Sequence, residues 1–182
     1  MSENFCEKTD LNKHIVYLNS SNTIFNNNLL FDCYFDLTEP IRDAVFIKLL
    51  KTELVLNPTN NINGNVVNDT DPIFVVFKQY HRVSSSIIVN GSYQQIKCFE
   101  VIPLNFGHNP PNSFLTFKQE YTSTGCNIND INTHVLNPVE QNLKRFDIQL
   151  YDKNYNIIPK SSIKNFNMSL CIYSNKRKFG MI

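Results

Sequence analysis

LLFDCYFDL, residues 29–37, alternates apolar and polar side chains along its whole length. In an extended chain Leu29, Phe31, Cys33, Phe35 and Leu37 share one face, and Asp32, Tyr34 and Asp36 share the other. One face is read as core and the other as facing water or a neighbour. The same period of two recurs in RFDIQLY, residues 145–151, with Phe146, Ile148 and Leu150 inward and Arg145, Asp147 and Gln149 outward. It recurs again in FNMSLCI, residues 166–172, where Phe166, Met168, Leu170 and Ile172 stand against Asn167, Ser169 and Cys171. Three alternations of this length are incompatible with helices and set the fold class as all-β.

Around these three, short runs rich in Phe, Ile, Val and Tyr are separated by Asn, Pro and Gly. Residues 15–18, 73–77, 87–89, 93–102 and 115–121 read as further strands, and IFVVF at 73–77 is apolar on both faces, as in a strand covered on both sides or one whose outer face meets another subunit. Residues 41–56 carry a passable helical stripe (Ile41, Ala44, Val45, Lys48, Leu49), but Pro40 before it and TELVL within it favour a strand with a bulge. Asn90-Gly91 between SIIV and SYQQI is a hairpin signal, because a type I′ turn needs positive φ at both central residues. Residues 57–72, 106–112 and 122–138 read as loops, the second stiffened by Pro110 and Pro111. The expectation is one domain over residues 1–182: a single jelly-roll β-sandwich of about eight to ten antiparallel strands, with a short polar N-terminal segment and a short basic C-terminal tail.

Composition narrows the function. Charged residues are 18% of the chain and the formal charge is +1, so there is no broad field to attract nucleic acid or an anionic membrane. Partners are expected to be held by shape and apolar contact. The five Cys (Cys6, Cys33, Cys98, Cys126, Cys171) are odd in number and irregular in spacing, and are read as reduced thiols in a reducing compartment. The N-terminus lacks the apolar core of a signal peptide and no run is long enough for a membrane span. Four glycosylation-type triplets, at Asn19, Asn68, Asn90 and Asn167, are then read as accidents of an Asn-rich chain.

No constellation for catalysis stands out. His14, His81, His108 and His134 have no ligand spacing, Asp69 and Asp71 lack the surrounding pattern of a calcium loop, and no GxSxG elbow or Gly-rich phosphate loop occurs. Cys33 and Cys98 lie on apolar strand faces, where a thiol acts as a small hydrophobe. The expectation is a protein with no catalytic, cofactor-binding or metal-binding residue. The remaining candidates are contact residues. Asn60, Asn61, Ile62, Asn63, Val66 and Val67 sit in the longest loop, and Phe106 and His108 in the Pro-stiffened one. Lys176, Arg177 and Lys178 form a basic run, read either as a solvated tail or as a short arm for an acidic surface on an adjacent protein or packaged nucleic acid, with Phe179 as its apolar anchor.

The order of four segments carries a resemblance. IVYLNSSNT (15–23), FDLTEPIRDAVFIKLLKTELVLNP (35–58), CFEVIPL (98–104) and NPVEQNLKRFDIQLYDKNYNIIP (137–159) look like the ordered landmarks of single jelly-roll minor capsid and penton-type proteins of nucleocytoplasmic large DNA viruses and relatives. In the last, Pro138 leads through Leu143, Arg145, Phe146, Ile148 and Leu150 to Asp152 and the pair Ile157 and Ile158, read as a core strand leaving through an Asp-led turn. Two places depart from the pattern: Thr23 follows Asn22 where the group often has Arg, and Lys153-Asn154-Tyr155 lacks the usual Gly. The resemblance implies a capsid component of the virion, assembled in host cytoplasm. It would pack against the major capsid protein, other capsid proteins or itself, as a pentamer if penton-type. The rival expectation is a small β-sandwich ligand- or glycan-binding module, for which Tyr80, Tyr121 and Tyr155 are the aromatic candidates.

Overall fold

The computed structural model describes residues 11–57, 61–62, 65–66, 72–81, 83–89, 91–102, 115–121 and 130–176. Expectations that fall elsewhere, including Cys6, Cys126 and the loop 106–112, lie outside the described residues. Every strand pairing is antiparallel, and no α-helix occurs among the described residues.

The fold is organised by one strand, β3 (Asp32–Leu56), which follows β1 (Leu11–Asn19) and the short β2 (Ile24–Phe25). The sequence suggests two strands here, 29–37 and 41–56, with Thr38-Glu39-Pro40 between them. The chain instead runs through as a single strand of 25 residues. Pro40 is accommodated because the ladder is interrupted at that point. Ile41 pairs with Leu143 and Asp36 with Arg145, so residues 37–40 oppose a single residue, Lys144. An irregularity of this kind is where a sheet admits proline. The expected bulge is present as well: Val45 is skipped between the Phe46–Tyr173 and Ala44–Ser174 pairs, beside Asp43 at φ 54°.

After β3 come β4 (Asn61–Ile62), β5 (Asn65–Val66), β6 (Ile73–Phe77), β7 (Val83–Val89), β8 (Ser92–Cys98), β9 (Glu100–Ile102), β10 (Leu115–Glu120), β11 (Thr133–Tyr151) and β12 (Ile163–Asn175). The principal sheet has eight strands. Its main path is β1-β12-β3-β11-β6-β9, and β2 and β10 attach to the two ends of β3. The segment 122–138, read as a loop, is a strand from Thr133 onward. Asn137 and Pro138, which suggested the loop, sit in a second irregularity where residues 136–139 oppose Val45, and the peptide bond between them is cis. Residues 93–102 divide at Phe99 into β8 and β9, which belong to different sheets.

The sheet curls so that the two ends of β3 enclose one core, giving an all-β sandwich of jelly-roll type. Phe31, Cys33, Phe35, Phe146, Ile148 and Leu150 pack with Leu54, Leu56, Phe166, Met168, Leu170 and Ile172 in one buried cluster. Phe31 meets Phe166 edge-on at 5.7 Å, and Phe77 stacks on Phe99 at 4.2 Å. Each such side chain contributes about 1.5–3 kcal/mol by leaving water. Leu29 is the exception in its run: the strand begins three residues later, and Leu29 is 76% exposed.

Two smaller clusters lie outside the main core. Ile96 and Cys98 of β8 pack on Phe74 at the second face of β6, which explains why IFVVF is apolar on both sides. Phe46, Cys171 and Tyr173 form the other, with Phe46 and Tyr173 stacked at 4.5 Å. Cys171, placed outward by its alternation, is therefore buried. Nearby Lys48, fully buried, pairs with Asp130, and Asn132 Nδ2 donates to the Leu49 carbonyl at 2.6 Å.

Candidate assembly surface

The β7–β8 hairpin projects from this body. Its register runs from Val83 opposite Cys98 to Val89 opposite Ser92, leaving a two-residue connection in which Gly91 has φ 78°. The two-residue spacing and the positive φ of Gly91 agree with the hairpin read at this dipeptide. At the base, Ile96 and Cys98 are buried against Phe74. Toward the tip, Ser92, Tyr93, Gln94 and Gln95 are all exposed, and so are Ser84, Ser86 and Ile88. Successive residues of a strand point to opposite faces, so exposure at four positions in a row means that neither face of the tip is covered. Ile88 and Tyr93 oppose each other there, 58% and 82% exposed. The sequence carries a signal for this: Ser84-Ser85-Ser86 and Gln94-Gln95 are polar at adjacent positions, which a half-buried strand would not be.

Of the contact residues proposed from sequence, Asn61 and Ile62 pair with Val66 and Asn65 as β4 and β5, a minimal hairpin inside the long loop. Lys176 follows β12 and is exposed. Asn60, Asn63, Val67, Phe106, His108, Arg177, Lys178 and Phe179 lie outside the described residues. Sequence inspection missed the apolar residues presented by regular elements, namely Ile88 and Tyr93 on the arm and Ile15 and Tyr17 on β1.

The three candidate tyrosines are used differently. Tyr80 is buried beside Phe146, its hydroxyl 3.4 Å from Glu140 Oε2, and burial together with that carboxylate pushes its pKa up to about 12. Tyr121 donates to buried Glu100 at 2.9 Å and packs against the core. Tyr155 stacks on Tyr151 at 4.3 Å and lines an open cavity of about 590 Å³ with Leu30, Asn156 and Ile157.

Tyr155 stands in the Asp-led turn, with φ 60°. Asp152 Oδ1 accepts from the backbone N–H groups of Asn154 at 2.9 Å and Asn156 at 2.8 Å. The turn thus holds a tyrosine, not a glycine, in left-handed backbone. On the neighbouring outward face Asp32 gathers Asn26, Gln149 and Lys78. Burial opposes its charge, but those hydrogen bonds outweigh it and hold its pKa below the ordinary value.

Two of the histidines that lack ligand spacing in sequence come near each other in the fold, the His81 and His134 rings lying 6.3 Å apart. Among the described residues, no group of three His, Cys, Asp or Glu side chains converges as metal ligands. Burial raises the Cys33 thiol to about 12 and also raises that of Cys171, which makes both poor nucleophiles. No helix among the described residues is long and apolar enough to cross a membrane. Comparison of the sequence with models of known protein families and with curated proteins found no match.

Proposed function

We propose that this chain is a non-enzymatic structural subunit of a protein shell, a minor capsid protein of penton or facet-associated type in a large double-stranded DNA virus. The observation that carries this reading is the β7–β8 arm. Its strands pair only with each other among the described residues, and it holds an aliphatic and an aromatic side chain side by side in solvent at its tip. Such a pair is costly to expose and contributes about 1.5–3 kcal/mol per side chain once covered. An arm built in this way suits insertion between neighbours, and a charge of +1 leaves apolar contact as the main source of affinity. The resemblance of the four ordered segments names the setting, with the major capsid protein, other capsid proteins or further copies of the chain as partners. Assembly would take place in host cytoplasm, with the virion as destination.

Ile88→Ser combined with Tyr93→Ser tests this reading. Both side chains are exposed, so the thermal midpoint should hold while incorporation into particles is lost. Incorporation at the unaltered level would overturn it. A second reading, binding of a small ring-shaped ligand such as a sugar, has the Tyr151–Tyr155 platform and its open cavity in its favour. Reproducible binding to one defined glycan on an array, lost in Tyr155→Ala, would replace the first reading with the second.

A further inference from the structure

Midway along β3, the chain builds a concavity of about 460 Å³ between β1, the β3 bulge and the end of β12. Its walls come from positions remote in sequence, brought together by the pairing of Asn12 with Ser174 and of Ala44 with Ser174. Among the described residues its lining includes the side chains of Arg42, Asp43 and Lys176. His14 also lines it, its Nε2 2.9 Å from Ser174 Oγ. Arg42 is exposed and makes no ion pair or side-chain hydrogen bond among the described residues, and a guanidinium carries five N–H donors. Asp43, next to it, holds φ 54° at the bulge, a backbone conformation that non-glycine residues adopt rarely and that clusters at binding sites.

We propose that this concavity docks an acidic peptide segment of a partner protein, with a carboxylate of the segment forked on the Arg42 guanidinium. The lining decides between anionic ligands. Asn12 and Asn175 each offer an amide donor and acceptor, which match the N–H and C=O of a peptide backbone, and Pro40 adds an apolar wall. A polynucleotide would call for a row of cations along its backbone, whereas a chain of charge +1 has no such field. Guanidinium and carboxylate form a planar two-point bond, so Arg42 sets the orientation and Lys176 adds charge at the rim. The inference stands on the concavity alone and does not depend on the role of the β7–β8 arm.

The test is fluorescence anisotropy on the full chain with three labelled probes: an octapeptide of alternating Glu and Ala, its Gln counterpart, and a thymidine oligonucleotide of similar length. The Glu probe should bind and weaken with added salt, the Gln probe should bind at least about tenfold more weakly, and Arg42→Gln should cost the Glu probe about tenfold, the worth of one charge-assisted bond. Arg42→Lys should restore part of the loss. An unchanged thermal midpoint in both variants shows that the fold is intact, and Lys176→Gln supplies a second variant if Arg42→Gln melts early. The proposal is overturned if the Glu probe fails to bind at millimolar concentration, if the Gln probe binds equally well, if the variants bind like the parent, or if the oligonucleotide binds more tightly.

Discussion

Replacing Asp152 by Ala should remove the fastening of the turn between β11 and β12. Its Oδ1 accepts two backbone N–H groups, from Asn154 at 2.9 Å and Asn156 at 2.8 Å, and the residue is only 8% exposed. A hydrogen bond to a charged group is worth about 1.5–3 kcal/mol net, and two that share one oxygen do not add fully, so the loss should be about 2–4 kcal/mol. Tyr155, at φ 60° between those donors, would also lose what holds it in an unfavourable conformation. For a chain of 182 residues each kcal/mol moves the thermal midpoint by about 2–4 °C, which gives a fall on the order of 5–15 °C. Asp152→Asn, which keeps an acceptor without the charge, should lose about half as much. Far-UV circular dichroism during urea unfolding is the suitable assay, because the chain has no Trp. A stability of Asp152→Ala within about 0.5 kcal/mol of the parent would show that the turn does not rest on this carboxylate.

Gly91→Val should destabilise by about 1–3 kcal/mol, because φ 78° is unfavourable for a β-branched residue, although a Cβ there would meet nothing within 4 Å. Hydrogen exchange of the β7 and β8 amides should accelerate, and unchanged exchange would place the strain elsewhere. Stability should fall as the pH rises from about 8.5 toward 12. Burial keeps the Cys33, Tyr80 and Tyr173 protons on in the folded state up to about 12, while the unfolded chain releases them earlier. A urea midpoint that stays flat to about pH 11 would contradict that. Cys33, Cys98 and Cys171 are buried and outside any disulfide, so a thiol reagent should be slow on the native protein and should count five thiols in denaturant. A count of three or one would reveal disulfides.

The alternations at 145–151 and 166–172 gave the core faces directly, because Phe146, Ile148, Leu150, Phe166 and Leu170 are all fully buried. Strand limits were harder to read wherever the ladder is irregular. Thr38-Glu39-Pro40 and Asn137-Pro138 look like breaks in one dimension, yet each is an unpaired stretch within a continuous strand. Cys171 is buried because a second cluster covers the outer face of β12, a tertiary effect that local periodicity does not encode. Tyr80 and Tyr121 are committed to Glu140, Glu100 and the core for the same reason. The arm was half legible: Asn90-Gly91 gave the hairpin, whereas its projection was not read, although the adjacent polar residues at 84–86 and 94–95 carry a signal for it. His14, Arg42 and Lys176 come together only through the pairing of β1 and β3 with β12, so no local motif could have disclosed the concavity.

The assembly role is tested most directly by quantitative mass spectrometry of purified particles from infected cells that produce this chain. A structural subunit should be present at a fixed copy number relative to the major capsid protein, in multiples of five for a penton-type member, and should remain after a moderate salt wash that strips ion-paired contaminants. Absence of the chain from washed particles, with all of it recovered free in the lysate, would contradict the role.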